Sequence, residues 1–239
     1  MALFIFLYVA VAIPPVQNYI REKTEKEFAN FLGSKVEIGD LSIRPVNEII
    51  IHDVKIYDLN KSECVRIDKL GAGINLWQLI LKANIEITYV ELLDFNVNIY
   101  QKKENAPLNI QFIIDAFAPK DKNKEPTKFD LKIHNIVIRG GNASFSRYWK
   151  PKNKEDIFDP NYIIVSDLCA DVTIPRLSND YSEIDLRRLS LNEKSGLQIK
   201  EIKGLFKIRT NDLTVIGLSI ALPESLIKVD KTTLPLSFF

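Results

Sequence analysis

The chain has 239 residues, room for one large domain or two small ones. Its 32 Lys+Arg against 31 Asp+Glu give a formal net charge of +1, which removes the electrostatic basis of a dedicated nucleic-acid binder. Two cysteines and two histidines are too few for a disulfide scaffold or a Cys- or His-based metal centre, so neither metal nor cofactor is expected.

Residues 1–16 (MALFIFLYVAVAIPPV) carry no charged side chain, and the first charge is Arg21. The run is slightly short of the ~20 residues that span a hydrocarbon core. A membrane anchor through Leu3, Phe4, Ile5, Phe6, Leu7, Val9, Val11 and Ile13 is the favoured reading. A signal peptide would use Ala10-Val11-Ala12 as its small-x-small site, but no basic residue precedes the run. A buried core helix is disfavoured by Pro14-Pro15 and by the unbroken apolar character. Arg21, Lys23 and Lys26 alternate with Glu22, Glu25 and Glu27, so the positive-inside rule assigns no orientation.

Val16, Ile20, Phe28, Phe31 and Leu32 then mark an amphipathic helix closed by Gly33. It is expected to continue from the apolar run after a kink at Pro14-Pro15, with its charged face solvated. From Val36 onward the period changes from 3.6 to 2. Ile49/Ile51, Val54/Ile56, Val65/Ile67, Ile85/Ile87, Val97/Ile99, Leu131/Ile133, Ile136/Ile138, Ile163/Val165, Leu197/Ile199 and Leu213/Val215 read as strands with one apolar and one wet face.

An internal repeat runs through them. Ile85, Ile87, Val90, Leu92, Val97 and Ile99 recur 46 residues later as Leu131, Ile133, Ile136, Ile138, Ala143 and Phe145. The first four recur 49 residues earlier as Val36, Ile38, Leu41 and Ile43. Three recur 112 residues later as Leu197, Ile199 and Ile202 before Gly204 breaks the pattern. The unit reads as strand, one-residue slip, strand, turn, strand, and the slip suits a bulge that curves a sheet.

Two short apolar helical patches interrupt the strands, at 76–81 and 110–117. They could plug or cap the open end of a curved sheet or pack as ordinary core. Pro119–Lys128 and Trp149–Asp159 read as exposed loops. The ending Leu236-Ser237-Phe238-Phe239 looks like a strand cut short, as in one piece of a longer protein.

The sequence offers no catalytic constellation. Gly71-Ala72-Gly73 is followed by no GK[ST], Gly140-Gly141 reads as a tight turn or bulge, and HExxH, CxxC and GxSxG are absent. Cys64 and Cys169 fit buried free thiols, with a disulfide as the alternative. His52 and His134 occupy polar slots of alternating strands and are expected at the solvent. Phe145–Lys150 is the one aromatic cluster interleaved with basic residues; at a net charge of +1 it is weak evidence for nucleic acid.

The segment from Ile13 to Phe117 resembles the N-terminal region of TamB proteins, within the wider AsmA-like group. The pieces that carry the resemblance are Ile13–Gln17, Leu32–Gly39, Ile50–Asp58, Ile74-Asn75-Leu76 and Asn109–Phe117, in that order. The resemblance implies a mostly β protein held in the bacterial inner membrane by one N-terminal helix, single-pass, with its bulk in the periplasm. There it would extend as a curved, largely antiparallel open β-sheet with short helical insertions. It further implies membrane lipids and an outer-membrane partner of the barrel-assembly type, with a role in phospholipid transfer or in outer-membrane protein and autotransporter assembly. Residues 1–33 would form the anchor and amphipathic helix, and residues 34–239 the repetitive sheet.

A lipid role has a physical basis of its own. Exposing a ~16-carbon tail to water costs on the order of 12 kcal/mol at ~0.8 kcal/mol per CH₂. A trough of inward Ile, Val, Leu and Phe removes most of that cost. Ile87, Leu92, Val97, Ile99, Ile133 and Ile138 are the candidate lining residues. The alternative is a closed β-sandwich binding or adhesion module, in which the same residues form a core.

Overall fold

A computed structural model describes residues 13–44, 48–74, 85–117, 129–153, 157–176 and 181–236. Helix α1 (Pro14–Leu32) leads into strands β1 (Val36–Arg44), β2 (Glu48–Tyr57), β3 (Glu63–Ile74) and β4 (Ile85–Gln101). Helix α2 (Gln111–Phe117) follows, then β5 (Phe129–Arg147), β6 (Tyr162–Arg176), β7 (Tyr181–Glu193), β8 (Gln198–Arg209), β9 (Asp212–Ala221) and β10 (Leu226–Pro235).

All ten strands form one sheet whose spatial order is the chain order, β1 to β10. Every pairing is antiparallel except β4 with β5, which is parallel. Parallel neighbours need a crossover, and α2 lies in it. The first and last strands do not pair, so the sheet stays open, and among the described residues no second sheet packs on it.

Helix α1 begins at the proline pair; the apolar run expected to precede it lies outside the described residues up to residue 12. Ile13 has an extended backbone (ψ 127°) and the prolines occupy the first helical turn, where their missing N–H groups cost nothing. Gly33 ends the helix in the left-handed conformation (φ +65°), as expected. The charged face is not simply solvated. Arg21 Nη1 donates to the Ile38 carbonyl at 3.0 Å, and the Ile38 N–H donates to Glu25 Oε2 at 2.9 Å. These two side chains cap the edge of β1, which would otherwise present unpaired backbone groups. Lys23, Lys26, Glu22 and Glu27 on the same helix are exposed.

The internal repeat takes physical form in the β4–β5 pairing. Tyr89–Leu93 and Asn96–Gln101 each pair with the residue 46 positions on, so the repeated slots from Val90 onward lie side by side, whereas Ile85 and Ile87 pair 44 positions on. The slip after Ile87 is a register shift between Ile87 and Tyr89. The expected turn between Leu92 and Val97 is absent, because β4 runs on through Asp94 with a positive φ of 50°. One residue in that conformation bends the strand without ending it.

The patch at 76–81, the loop at 119–128, the last three residues and the anchor residues from Leu3 to Val11 lie outside the described residues. Ile13 is described and 45% exposed. No described helix is long and apolar enough to cross a membrane.

Candidate functional site

Directly paired residues in neighbouring strands share a face of the sheet, so the register reads out the faces. One row runs Ile38–Val54–Ile67–Phe95 across β1 to β4, with Gly141 of β5 against the Phe95 ring. A second runs Leu41–Ile51–Leu70–Leu92–Ile138–Ala170–Leu189–Ile202–Ile220–Ile227 across the whole sheet. Outside the first row lies Val36–Ile56–Val65–Val97–Ala143–Val165. Ile38, Val54, Leu41, Ile51, Ile67 and Leu70 all belong to one packed cluster, so these rows share a face. On that face the second row is apolar from one edge strand to the other, while the outer row ends at Glu193, the partner of Val165 in β7.

Two residues separate the first and second rows in each strand: Gly39-Asp40, His52-Asp53, Asp68-Lys69, Leu93-Asp94 and Arg139-Gly140. Strict alternation would put residues three apart on opposite faces. Asp53 (φ 53°), Asp94 (φ 50°) and Gly140 (φ 67°) reset the alternation. Asp is among the few non-glycine residues that tolerate this region. Gly39 gives Asp53 room, since a Cβ there would stand 2.7 Å from the Asp53 Cβ. Past β5 the line continues through Asp167 and Gly217, both with positive φ, and through register shifts in β6, β7 and β8. A line of bends thus runs crosswise through the sheet.

Among the described residues the apolar face is covered at one end only. Val36, Ile38, Leu41, Ile51 and Val54 are buried in one cluster with Leu32, Phe28 and Ile20 of α1, and Phe112, Ile113 and Ala116 of α2 pack against it. The helical patch expected at 110–117 therefore caps the β1 end of the face. From β4 onward only Phe95, Tyr100, Ala170 and Val215 among the described apolar residues are buried. A residue inside a sandwich core would be enclosed from both sides, whereas Ile87, Leu92, Val97, Ile99, Ile133 and Ile138 are all half-buried. Leu92 pairs with Leu70 and Ile138, and Val97 with Val65 and Ala143. Ile99 pairs with Phe145, and Ile87 with Ile74 and Leu131. Ile133 falls in the register shift opposite Thr88 and has no direct partner in β4.

The buried polar groups are structural. Asp58 closes the β2–β3 turn by accepting the N–H groups of Asn60 and Ser62 at 2.8 and 2.9 Å and the Tyr100 hydroxyl. Burial works to raise its pKa, but those hydrogen bonds prevail and hold it below the ordinary value. Burial and the bond to Asp58 push Tyr100 up to about 12. Asp159 accepts the N–H groups of Asn153 and Asn161, both at 2.9 Å. Glu193 accepts the Ser195 N–H at 2.8 Å and the Ser195 hydroxyl. Cys64 and Cys169 are free thiols, and burial pushes Cys64 up to about 11, leaving it protonated and unreactive at neutral pH. His134 is exposed and His52 half-buried. Among the described residues no group of His, Cys, Asp and Glu side chains could hold a metal ion.

Gly71-Ala72-Gly73 lies within β3, and Gly140-Gly141 is a bulge inside β5. The bend line and the edge cap were the features missed in the sequence. The two-residue gaps between apolar slots were the visible trace of the bend line; the edge cap left none.

Comparison with protein-family models and with curated proteins finds no match for this chain.

Proposed function

We propose that this chain is the membrane-proximal part of an AsmA/TamB-like protein, anchored in the bacterial inner membrane with its bulk in the periplasm. In this reading it acts in outer-membrane biogenesis as a conduit for phospholipid acyl chains between membranes. Translocation and assembly of outer-membrane proteins such as autotransporters is the accompanying role, with a barrel-assembly-type partner in the outer membrane.

The observation that carries the reading is the apolar row from β4 to β10, continuous in register and, among the described residues, not enclosed by a second layer. In this reading the line of bends turns that face inward as a trough, with Leu92, Val97, Ile99 and Ile138 along its floor. Hydrocarbon lying there avoids the ~0.8 kcal/mol per CH₂ of exposure to water. The many equivalent Ile, Val and Leu slots hold a chain without trapping it at one position. The helices α1 and α2 stop the trough at its β1 end, so lipid enters beyond β3.

Ile99→Asp in the full-length protein places a charge on the trough floor. It is expected to impair outer-membrane integrity while leaving expression unchanged. Wild-type tolerance of detergent and antibiotics in that variant would contradict the reading.

A further inference from the structure

The exposed large apolar residues are unevenly placed. Tracing strand directions through the register puts the β2–β3 turn, the ends of β4 and β5, the start of β6, the β7–β8 turn and the start of β10 along one rim of the sheet. Of the twelve large apolar side chains exposed among the described residues, eight lie on this rim. They include Leu59 (71%), Tyr148 (56%), Ile157 (59%), Phe158 (49%), Leu197 and Leu226 (58%). The strip crosses eight strand spacings, roughly 40 Å. Such an alignment is far from the scattered single hydrophobics of an ordinary surface.

The charges on the rim are sorted as well. Lys61, Lys102, Lys103, Lys150 and Lys152 are exposed. Three of the rim's carboxylates, Asp58, Asp159 and Glu193, are buried and turned onto backbone N–H groups, and Glu63 is paired with Arg66 at 2.8 Å. Of the described acids there, Glu104 and Glu224 are left facing solvent. Lys150 sits 4.4 Å from the Trp149 ring centre and Lys102 5.6 Å from that of Tyr100. Tyr100 in turn stacks on Tyr148 at 5.4 Å. Apolar tips, amphipathic aromatics and exposed lysines together are the chemistry of a membrane interface.

We propose that this rim is a docking edge that seats on an anionic bilayer surface. The apolar tips enter the headgroup boundary and the lysines meet lipid phosphates, so the sheet stands with one set of strand ends on the membrane. This placement is independent of whether hydrocarbon occupies the trough.

Trp149 reports on the rim directly, because Trp77 is the other tryptophan of the chain and Trp77→Phe leaves a single emitter. The full chain carrying Trp77→Phe is mixed with vesicles of phosphatidylcholine, with or without phosphatidylglycerol, containing lipids brominated near the headgroup. Docking predicts Trp149 quenching about twofold or more stronger with the anionic lipid, and weakened by salt. Leu59→Ser/Phe158→Ser/Leu226→Ser, and separately Lys61→Glu/Lys150→Glu/Lys152→Glu, should abolish it. These side chains are exposed, and an unchanged circular dichroism spectrum verifies folding. Ile99→Asp should leave the quenching intact, which separates the rim from lipid held in the trough. Unquenched Trp149 overturns the proposal, as it would if the strip served another protein. Quenching that survives both rim variants, or that disappears in Ile99→Asp, overturns it as well.

Discussion

A Cβ on Gly141 would stand 2.3 Å from the Phe95 ring, which is itself 8% exposed. The glycine is there so that an aromatic ring can lie across its neighbour strand. Gly141→Ala is expected to lower unfolding stability by about 1–3 kcal/mol. Phe95→Leu in the same chain should recover part of that loss, so a denaturant double-mutant cycle reads out the contact. A neutral Gly141→Ala would mean that the ring lies elsewhere. A second residue-scale expectation concerns acid. Asp58, Asp159 and Glu193 have folded-state pKa values below their unfolded ones. Their stabilisation is therefore fully present above the ordinary carboxylate range of about 4 and is lost as pH falls through the folded values. Urea midpoints should hold level from neutral pH to about 5 and fall below about 4. In Asp58→Asn the fall should be shallower; an identical profile would remove Asp58 from the account.

Among the elements, α1 matters most for how the sheet is bounded. Arg21 and Glu25 satisfy both backbone groups of Ile38 on the outer side of β1. Arg21→Ala/Glu25→Ala leaves those groups without their charged partners and is expected to cost about 1–3 kcal/mol. It should also produce edge-paired dimers detectable by light scattering; a stable monomer of unchanged midpoint would show that the cap is dispensable. The helix itself was legible from Val16, Ile20, Phe28 and Leu32, but its edge-capping role was not. That role depends on where β1 comes to lie, and spacing along one helix carries no such information. Strands were legible where apolar residues alternate. Strands β7 and β10 escaped notice because Tyr181–Glu193 and Leu226–Pro235 place many charged or polar residues beside their apolar ones. Their strand state comes from pairing with β6, β8 and β9.

At the scale of the whole molecule, alternation allowed both a sandwich and an open sheet. The choice rests on pairing, because the same apolar rows could face a second sheet or be left open. Ten strands in chain order make a single layer, which the 46-residue repeat foreshadowed through the β4–β5 register. The two-residue gaps at 52-53, 93-94 and 139-140 hid the continuity of the apolar face, because a simple period of two breaks there. Positive φ at Asp53, Asp94 and Gly140 restores it. The central claim is that hydrocarbon lies on this face and not on the other. Photocrosslinking tests it most directly, with p-benzoylphenylalanine placed singly at Val97 or Ile138, and at their neighbours Asn96 and Val137 on the opposite face. Illumination in living cells followed by mass spectrometry should give lipid adducts at Val97 and Ile138 and essentially none at Asn96 and Val137. Equal adducts on both faces, or none on either, would contradict it.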